Sequence, residues 1–360
     1  MQLSERSSKR IASLRFLLVF FVVCIHVYPY RYLPGAYTLS FAGRFVEALL
    51  CGEARLSDGA VPVFFIVAAY LQFGKDDPYP LLLKKKAKSL LVPYLAWIGL
   101  YLLACFVLQT VTHTNAISLN STGDILSQWG LRDWIGALTG YGRPTGMPIV
   151  APLWFVRDLM ILVILSPVIR WLLRHSSGLL LLALAGIAYY CEMKLYAVFP
   201  VSLFFYCVGA FLGARKIDLF AAADRCGWAE ALILYAVVFL AEFAGFQWPC
   251  LSYVPLAGVT AALVMLKLSA LLIGPGPVPR VLGGLERYAF FVYCLHGPFV
   301  MAFLNRYWLK LFPVGGAWDV LNILLPALLC TALCLAAGIL LDRLLPPVFH
   351  LLNGSRKRRA

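Results

Sequence analysis

The sequence predicts an all-α, polytopic membrane protein that forms a single bundle of about ten transmembrane helices. The chain has 360 residues, of which 62% are hydrophobic and only 13% are charged, and its mean hydropathy is +0.82. This apolar share is well above that of an ordinary soluble domain. Apolar runs of about 20 residues, the length that crosses a bilayer as a helix, recur along the whole chain rather than at one anchor.

Ten apolar runs can be placed in order, and each is expected to be a helix because lipid offers no water to an exposed backbone. The predicted spans are 11–30, 59–74, 89–111, 151–172, 178–192, 197–213, 229–245, 252–273, 288–304 and 321–342. We expect them to form one integral-membrane domain over residues 1–360, with basic tails at 1–10 and 346–360. The longest connection between spans is 112–150, where polar residues and glycines concentrate.

The positive charges predict how the bundle is oriented, since Lys and Arg concentrate in cytoplasmic segments. With the N-terminus placed inside, the inner segments hold 20 of the 31 Lys and Arg residues, and the outer segments hold 8. The other three, Arg15, Arg157 and Lys267, lie within spans. The count predicts a multi-pass protein of the cell membrane with both termini in the cytoplasm.

The formal net charge of +14 is explained by the same asymmetry and by contact with anionic lipid. The basic runs at 84–88 and 356–359 flank predicted spans, so we expect membrane lipids rather than nucleic acid as their partners. The ten cysteines fall mostly inside spans, without a C-x-x-C motif or a His/Cys cluster at metal-ligand spacing. The sequence therefore predicts neither a nucleic-acid-binding protein nor a metal site.

The first span carries two side chains that are costly in lipid, Arg15 and His26, in the stretch RFLLVFFVVCIH. Their separation in sequence leaves a rotation of about 20° after three full turns, so both lie on one helix face. They stand roughly 16 Å apart along the axis, which lets them line one groove without touching. We expect Arg15 near the cytoplasmic edge and His26 toward the outer leaflet.

Each of these two side chains has a structural and a functional interpretation. Arg15 is either an anchor whose charge extends to the headgroups or part of a functional site. His26 is either a packing residue hydrogen-bonded to a neighbouring helix or a general base, because an imidazole exchanges protons near neutral pH. Position within the first span does not separate these alternatives.

Two further clusters place polar side chains in predicted spans. The fourth span begins with Trp154, Arg157 and Asp158, which fits either an interfacial aromatic residue with an Arg–Asp pair or a binding site. The ninth span holds His296 about midway, next to a Gly-Pro pair that can kink a helix. A packing role and a functional role are both open for His296.

The stretch LRFLLVFFVVCIH resembles the first-helix Arg-x10-His signature of the integral-membrane acyltransferase family 3. Four further stretches resemble motifs of that family in the same order. They are VPVFFIVAAYL (61–71), KKKAKSLLVPYLAW (84–97), LWFVRDLMILVILSPVI (153–169) and YCLHGPF (293–299). The resemblance spans nearly the whole chain, and it implies about ten membrane helices and the transfer of an acyl group.

The resemblance also implies the substrates of the reaction. The donor would be acetyl-CoA in the cytoplasm, and the acceptor a hydroxyl of a cell-envelope glycan or glycolipid, as in an O-acetyltransferase. Arg15 matches the partner of the family's essential histidine. Lys86 and Lys88 match a basic pair before the third helix. A basic inner mouth formed by these three residues would attract the phosphates of CoA.

The catalytic residues are implied in the same way. His26 matches the essential histidine, and would deprotonate the acceptor hydroxyl for direct attack on the thioester or act through a transient acyl intermediate. Arg157 matches the arginine of a WF-x-R-D motif, and would bind the acceptor or support the developing oxyanion. Trp154, Asp158 and His296 are expected to contact the acceptor.

Three positions depart from the family pattern. Ala12 stands where the family often has an acidic residue, and Ala68 and Ala69 stand where it often has Ser-Gly. These positions favour, as an alternative, an acyltransferase-like membrane module without turnover. A membrane transporter or polysaccharide exporter is another alternative, since buried ionisable groups suit that class, but the repeats and broken helices it predicts are not found in the sequence.

Overall fold

The protein is an all-α, polytopic membrane protein, as the sequence predicts. The structure is a computed structural model. The residues that it describes are 4–33, 35–52, 54–112, 126–175, 178–191, 199–246, 252–274 and 276–354. Helices account for 81% of the described residues, and no strand occurs among them.

Eighteen α-helices lie in the described residues, several of them continued by short 3-10 or π-helical turns. They are α1 (Glu5–Ile25), α2 (Phe41–Leu50), α3 (Ala60–Phe73), α4 (Tyr79–Lys86), α5 (Val92–Thr112), α6 (Leu131–Thr139), α7 (Trp154–Ile164), α8 (Ser166–His175), α9 (Leu179–Tyr190), α10 (Phe199–Ala214), α11 (Leu219–Asp224), α12 (Trp228–Phe243), α13 (Tyr253–Leu271), α14 (Pro277–Leu285), α15 (Ala289–Leu295), α16 (Ala302–Tyr307), α17 (Ala317–Leu344) and α18 (Pro346–Leu352). The helix α1 lies inside the bundle, in contact with α3, α13, α14, α15 and α17.

Six helical segments of the described part are long and apolar enough to cross a membrane. They are Glu5–Tyr32, Leu56–Phe73, Tyr79–Val111, Tyr253–Leu271, Pro277–Lys310 and Ala317–Leu344. A seventh results if α7 and α8, which are bent by 56° at their junction, form one span. Helices lie at all ten predicted positions, but α9, α10 and α12 have only 12, 16 and 16 residues. The predicted number of about ten spans is therefore not confirmed.

Contacts between distant segments group the connections into two ends of the bundle. At one end, Ser7 donates a hydrogen bond to Asp218 over 3.1 Å, joining two segments predicted to be inside. At the other end, the Tyr37 hydroxyl and the Ser40 backbone N–H both donate to Asp319 over 2.8 Å, joining segments predicted to be outside. The grouping agrees with the predicted connectivity, and the cytoplasmic location of the first end stays a prediction.

The segments predicted as terminal tails are largely helical where the structure describes them. The first helix already begins at Glu5, and the side chain of its N-cap Ser4 accepts a hydrogen bond from the Ser7 backbone N–H over 3.0 Å. At the other terminus, residues 346–352 form α18, which packs against α5. The basic run 356–359 lies outside the described residues.

Arg10, which the sequence assigns to the inner tail, is a core residue with only 1% of its surface exposed. Its guanidinium donates to the two carboxylate oxygens of Asp224 over 2.6 and 3.1 Å. It also donates to the Ser269 hydroxyl over 2.8 Å and to the Leu266 carbonyl over 2.9 Å. These bonds tie α1 to α11 and α13, so Arg10 fixes the start of the helix that carries Arg15 and His26.

Replacing Arg10 by Met should destabilise the protein by about 1–3 kcal/mol, because buried acceptors lose their charged donor. The hydrogen bond from Arg10 lowers the pKa of Asp224 below its usual value of 3.8. A lowered folded-state pKa stabilises the protein above the unfolded pKa, and this contribution is lost as the pH falls through the folded pKa. The difference in melting temperature between the wild type and the Arg10→Met variant, measured in detergent, should therefore become smaller below about pH 4.

The matched control is Lys9→Met, because Lys9 pairs with Glu5 at the surface, where its side chain is 66% exposed. That variant should melt close to the wild type. Equal melting temperatures for the Arg10 and Lys9 variants would show that the Arg10 contacts do not stabilise the fold.

Two glycines of α10 let this helix cross α3 at short range. A Cβ atom added to Gly209 would lie 2.1 Å from the Ile66 carbonyl oxygen, and one added to Gly213 would lie 2.6 Å from the Tyr70 carbonyl oxygen. The pair is a G-x-x-x-G pattern, which in membranes brings two backbones together. Because α3 borders α1, this crossing supports the wall of the site described below.

Gly209→Ala should lower the stability by about 1–3 kcal/mol, because the helices must separate to admit the methyl group. The control is Gly99→Ala on α5, where a Cβ atom meets nothing within 4 Å. Melting in detergent should be lowered in the Gly209 variant alone. An unchanged melting temperature for Gly209→Ala would contradict a close crossing of α3 and α10.

Candidate active site

His26 is the residue at which α1 ends. It is the C-cap of the helix, with φ −99° and ψ 10°. Three residues later, Pro29 begins a separate 3-10 turn, because proline has no N–H with which to continue the helix. The buried Asn305 of α16 takes over the backbone groups that the helix leaves free. Its side-chain NH₂ donates to the His26 carbonyl over 2.8 Å, and its oxygen accepts from the Tyr28 N–H over 3.0 Å. His26 is thereby fixed to α16.

His296 starts a π-helical turn, His296–Met301, that links α15 to α16. Such turns are rare and often occur at functional sites. Gly297 is required here, because a Cβ atom would lie 2.6 Å from Cγ of Pro152. The turn is thus packed directly against the segment that precedes α7.

His296 is completely buried, and only one of its two ring nitrogens is hydrogen-bonded within the described residues. Its Nδ1 lies 2.6 Å from the Tyr293 carbonyl oxygen. Since a carbonyl only accepts, Nδ1 carries the proton and Nε2 is left with a lone pair. In the described part of the chain, Nε2 has no hydrogen-bond partner. A buried polar atom without a partner is costly, and such atoms mark sites of chemistry or ligand binding.

The two histidines, 270 residues apart in sequence, form a pair in space. Their ring centroids are 5.1 Å apart, with an angle of 44° between the planes. Sequence analysis proposed both histidines as candidate functional residues, but it did not predict that they are neighbours in the structure. The rings are close but are not hydrogen-bonded to each other, since Nε2 of His296 has no partner among the described residues. An imidazole is the usual general acid or base, so the pair suits proton transfer to or from a hydroxyl group bound beside it.

Arg157 and Asp158 lie in the first turns of α7 and are buried. Nε of Arg157 donates to Asp158 over 2.8 Å, and Nη1 donates to the carbonyls of Thr139 and Gly146 over 2.9 and 2.7 Å. Asp158 also accepts from the Ser202 hydroxyl over 2.6 Å. Arg157 therefore clamps both ends of the loop 139–146 onto α7, a positioning contact that the motif alone did not indicate.

The predicted roles of this cluster in contacting the acceptor stay predictions. Trp154, at the start of α7, has its ring centroid 6.4 Å from that of Phe65 on α3. The next residue, Phe155, packs against Phe65 at 4.6 Å and against Tyr293 at 5.9 Å. Through these rings the start of α7 lies beside the turn that holds His296.

Among the predicted donor residues, Arg15 lies at the midpoint of α1, roughly 16 Å along the helix axis from His26. The guanidinium of Arg15 forms an ion pair with Glu286, which lies in the 3-10 turn after α14, and the two side chains are 34% and 16% exposed. Lys86 ends α4 and is half-buried, while Lys88 is exposed in the π-helical turn Ala87–Leu91. Arg15 is thus a paired residue rather than a bare anchor at a helix end.

The C-terminal segment connects these two groups of residues. The Asn353 side chain donates to the Arg287 carbonyl over 2.7 Å, one residue after Glu286. A Cβ atom on Gly354 would lie 2.6 Å from the Ser89 carbonyl oxygen, one residue after Lys88. Short backbone contacts therefore bring the Arg15–Glu286 pair and the Lys88 turn to the same end of the bundle.

Sequence reasoning missed Asn305 and Glu286. Asn305 lies one residue beyond the predicted ninth span and is followed by Arg306, so its sequence position did not mark it as a residue buried in the bundle. Glu286 lies just before the predicted ninth span, and its sequence position carries no sign of a partner on the first helix. The structure alone supplies that pairing.

Comparison with known proteins assigns the class of the chain. A family profile described as "Acyltransferase domain" matches residues 9–342, so the chain belongs to this acyltransferase family. The chain is also similar to the succinoglycan biosynthesis protein ExoH of Rhizobium meliloti (strain 1021), with 25% identity over 97% of this chain and 92% of that protein. No solved structure matches the chain. The protein is a membrane acyltransferase, and the matched range includes both histidines and Arg15.

Proposed function

We propose that this enzyme transfers an acetyl group from cytoplasmic acetyl-CoA to a hydroxyl of a cell-envelope polysaccharide on the opposite side of the cell membrane. The family supports acyl transfer, and the name of the similar protein, a succinoglycan biosynthesis protein, supports a polysaccharide acceptor. The observation that carries the proposal is the pair of the half-buried His26 and the buried His296, with ring centroids 5.1 Å apart and with Nε2 of His296 unpartnered within the described residues.

The phosphates of the donor are held at Arg15, in the middle of α1 and on the predicted cytoplasmic side of His26. Phosphate oxygens bind guanidinium groups through strong charge-assisted hydrogen bonds. Arg15 already holds a carboxylate, that of Glu286, so a phosphate of acetyl-CoA would take the place of Glu286. Lys86 and Lys88 add positive charge at the same end of the bundle. Both protein termini lie on this side in the proposed topology.

The chemistry occurs at the end of α1 that carries His26. His26 takes the proton of the acceptor hydroxyl while the oxygen attacks the carbonyl carbon of the thioester. The carbon–sulfur bond breaks, and the proton passes to the CoA thiolate, so that the products are an acetyl ester and free CoA. His296 stabilises the imidazolium of His26 through the lone pair on Nε2, and Arg157 holds the loop 139–146 over the acceptor side.

Envelope polysaccharide from cells with and without this protein tests the proposed reaction by mass spectrometry. The polysaccharide should lose the mass of its acetyl groups when the protein is absent and regain it when the gene is restored. An unchanged acylation pattern would contradict the proposed acceptor. A changed pattern in which a different acyl group is lost would contradict the proposed donor.

A further inference from the structure

A small cleft lies in the segment that precedes α7, apart from the histidine pair. It has a volume of about 70 Å³ and is lined by two aromatic side chains, Trp129 and Tyr141, and by the charged side chains of Arg132, Asp133 and Arg143. In the predicted topology this segment is on the outer side, where the acceptor arrives. Two guanidinium groups and one carboxylate leave the cleft with a net positive charge.

Two glycines make room for the arginine side chains. A Cβ atom on Gly136 would lie 3.4 Å from Cγ of Arg143, so the stem of Arg143 passes over this glycine. Gly142 has φ +75°, a conformation that favours glycine, and Arg132 lies across it, with Nε 3.6 Å from the place of a Cβ atom. The backbone of this loop thus brings both guanidinium groups to one cleft.

The charges in the cleft are not mutually satisfied. Asp133 is engaged as a capping residue of α6, where its Oδ2 accepts from the Gly130 N–H over 2.9 Å. Nε of Arg143 is buried and has no hydrogen-bond partner in the part of the chain that is described. A buried charged donor without a partner is costly unless a ligand completes its bonding. The missing partner is a hydrogen-bond acceptor, and an anionic one would also balance the positive charge of the cleft.

The cleft is also held in a fixed position relative to the histidines. Arg157 bonds to Thr139 and Gly146 at the two ends of the loop that carries Tyr141 and Arg143. The same loop leads in seven residues to Leu153, and Pro152 within that stretch packs against Gly297, next to His296. A molecule bound in the cleft therefore has a defined distance to the reacting hydroxyl.

We propose that this cleft binds an anionic group, a carboxylate or a phosphate, carried by the acceptor saccharide. Arg132 and Arg143 hold the anion, and sugar rings pack their apolar faces on Trp129 and Tyr141. This inference rests on the proposed function, and it deepens it by making the substrate an acidic rather than a neutral polysaccharide. The residue types are those that recognise an anion on an apolar platform.

Binding to the His26→Gln protein tests the inference without any turnover. Two probes are compared by isothermal calorimetry in detergent: an oligosaccharide that contains glucuronate, and the same oligosaccharide with its carboxyl groups reduced to alcohols. The acidic oligosaccharide should bind, and the reduced one should bind about tenfold more weakly or worse. Arg143→Gln should remove this difference, and Arg143→Lys should restore only part of it because lysine lacks the planar fork.

Arg44→Gln is the matched control, since Arg44 is an exposed outer arginine that stacks on Phe243, away from the cleft. Introduced into the His26→Gln protein, Arg44→Gln should leave the binding of both oligosaccharides unchanged. Equal binding of the acidic and reduced probes, or equal effects of the Arg143 and Arg44 variants, would overturn the inference. Arg132→Gln serves if Arg143→Gln fails to fold.

A lipid headgroup is the other source of such an anion, so the titration is repeated with phosphatidylglycerol in the micelles. If the lipid removes the binding and the variants alter only lipid binding, the cleft is a lipid site and the inference is wrong. Because binding is measured in the absence of acyl transfer, the two proposals can fail separately. An unchanged acylation pattern in cells without the protein, together with intact binding of the acidic oligosaccharide, would refute the proposed reaction and leave the cleft standing.

Discussion

His26→Gln is expected to lower acyl transfer by about 100- to 10,000-fold, the usual contribution of a general base, without preventing membrane insertion. Glutamine preserves hydrogen bonding but cannot exchange a proton. The helix ends at this residue through backbone contacts to Asn305, which do not depend on the side chain. The measurement is the rate of acetyl transfer from labelled acetyl-CoA by equal amounts of folded protein.

His175→Gln provides the matched control, because His175 ends α8, is exposed and stacks on Trp171. This variant should retain the wild-type rate. Near-normal activity of His26→Gln would refute a catalytic His26 and would direct attention to His296, whose buried Nε2 has no hydrogen-bond partner among the described residues. Equal loss in both variants would indicate a general effect of the substitution.

Arg15→Ala is expected to raise the KM for acetyl-CoA by about tenfold or more, since a hydrogen-bonded charge pair with a phosphate is lost. The KM of Arg15→Lys should lie between those of the wild type and Arg15→Ala, because lysine keeps the charge but lacks the planar guanidinium. The variant tests the donor site directly. Initial rates at a series of acetyl-CoA concentrations separate a change in KM from a change in kcat.

The partner of Arg15 gives the opposite expectation. Glu286→Gln removes the carboxylate that competes with the donor phosphate for Arg15, so the KM for acetyl-CoA should decrease. Arg170→Ala is the control on the same end of the bundle, where Arg170 pairs over 3.3 Å with Asp76, whose side chain is 89% exposed. Normal acetyl-CoA dependence of both Arg15 variants would show that Arg15 is only a membrane anchor.

The sequence predicts the class of fold well because span length and apolar composition are local properties. Each predicted span coincides with a helix, but the number of spans depends on how short helices sit in the membrane. The 12 residues of α9 and the 16 of α10 are too short to count by length. The end of α1 at Ile25, one residue before His26, was likewise not predicted, because it depends on Asn305 of a distant helix.

The sequence nominated the side chains of the candidate site, whose roles stay predictions, but it did not show which of them lie together. Helical periodicity relates Arg15 to His26 on one helix, but it does not say which helices adjoin. The contacts of His26 with His296 and of Arg15 with Glu286 join residues more than 250 positions apart in sequence. For Arg157, the motif suggested a contact with the acceptor. In the structure its hydrogen bonds hold the loop 139–146, and a contact with the acceptor stays a prediction.

In the proposed reaction an acyl group crosses from a donor on one side of the membrane to an acceptor on the other. Protein reconstituted in sealed vesicles tests this transfer, with acetyl-CoA outside and acidic polysaccharide inside or outside. We expect acetylation when donor and acceptor are on opposite sides of the membrane. No acetylation is expected when both are outside, until detergent opens the vesicles. Acetylation with both substrates outside intact vesicles would contradict this expectation, as would failure across the membrane by a protein that is active in detergent.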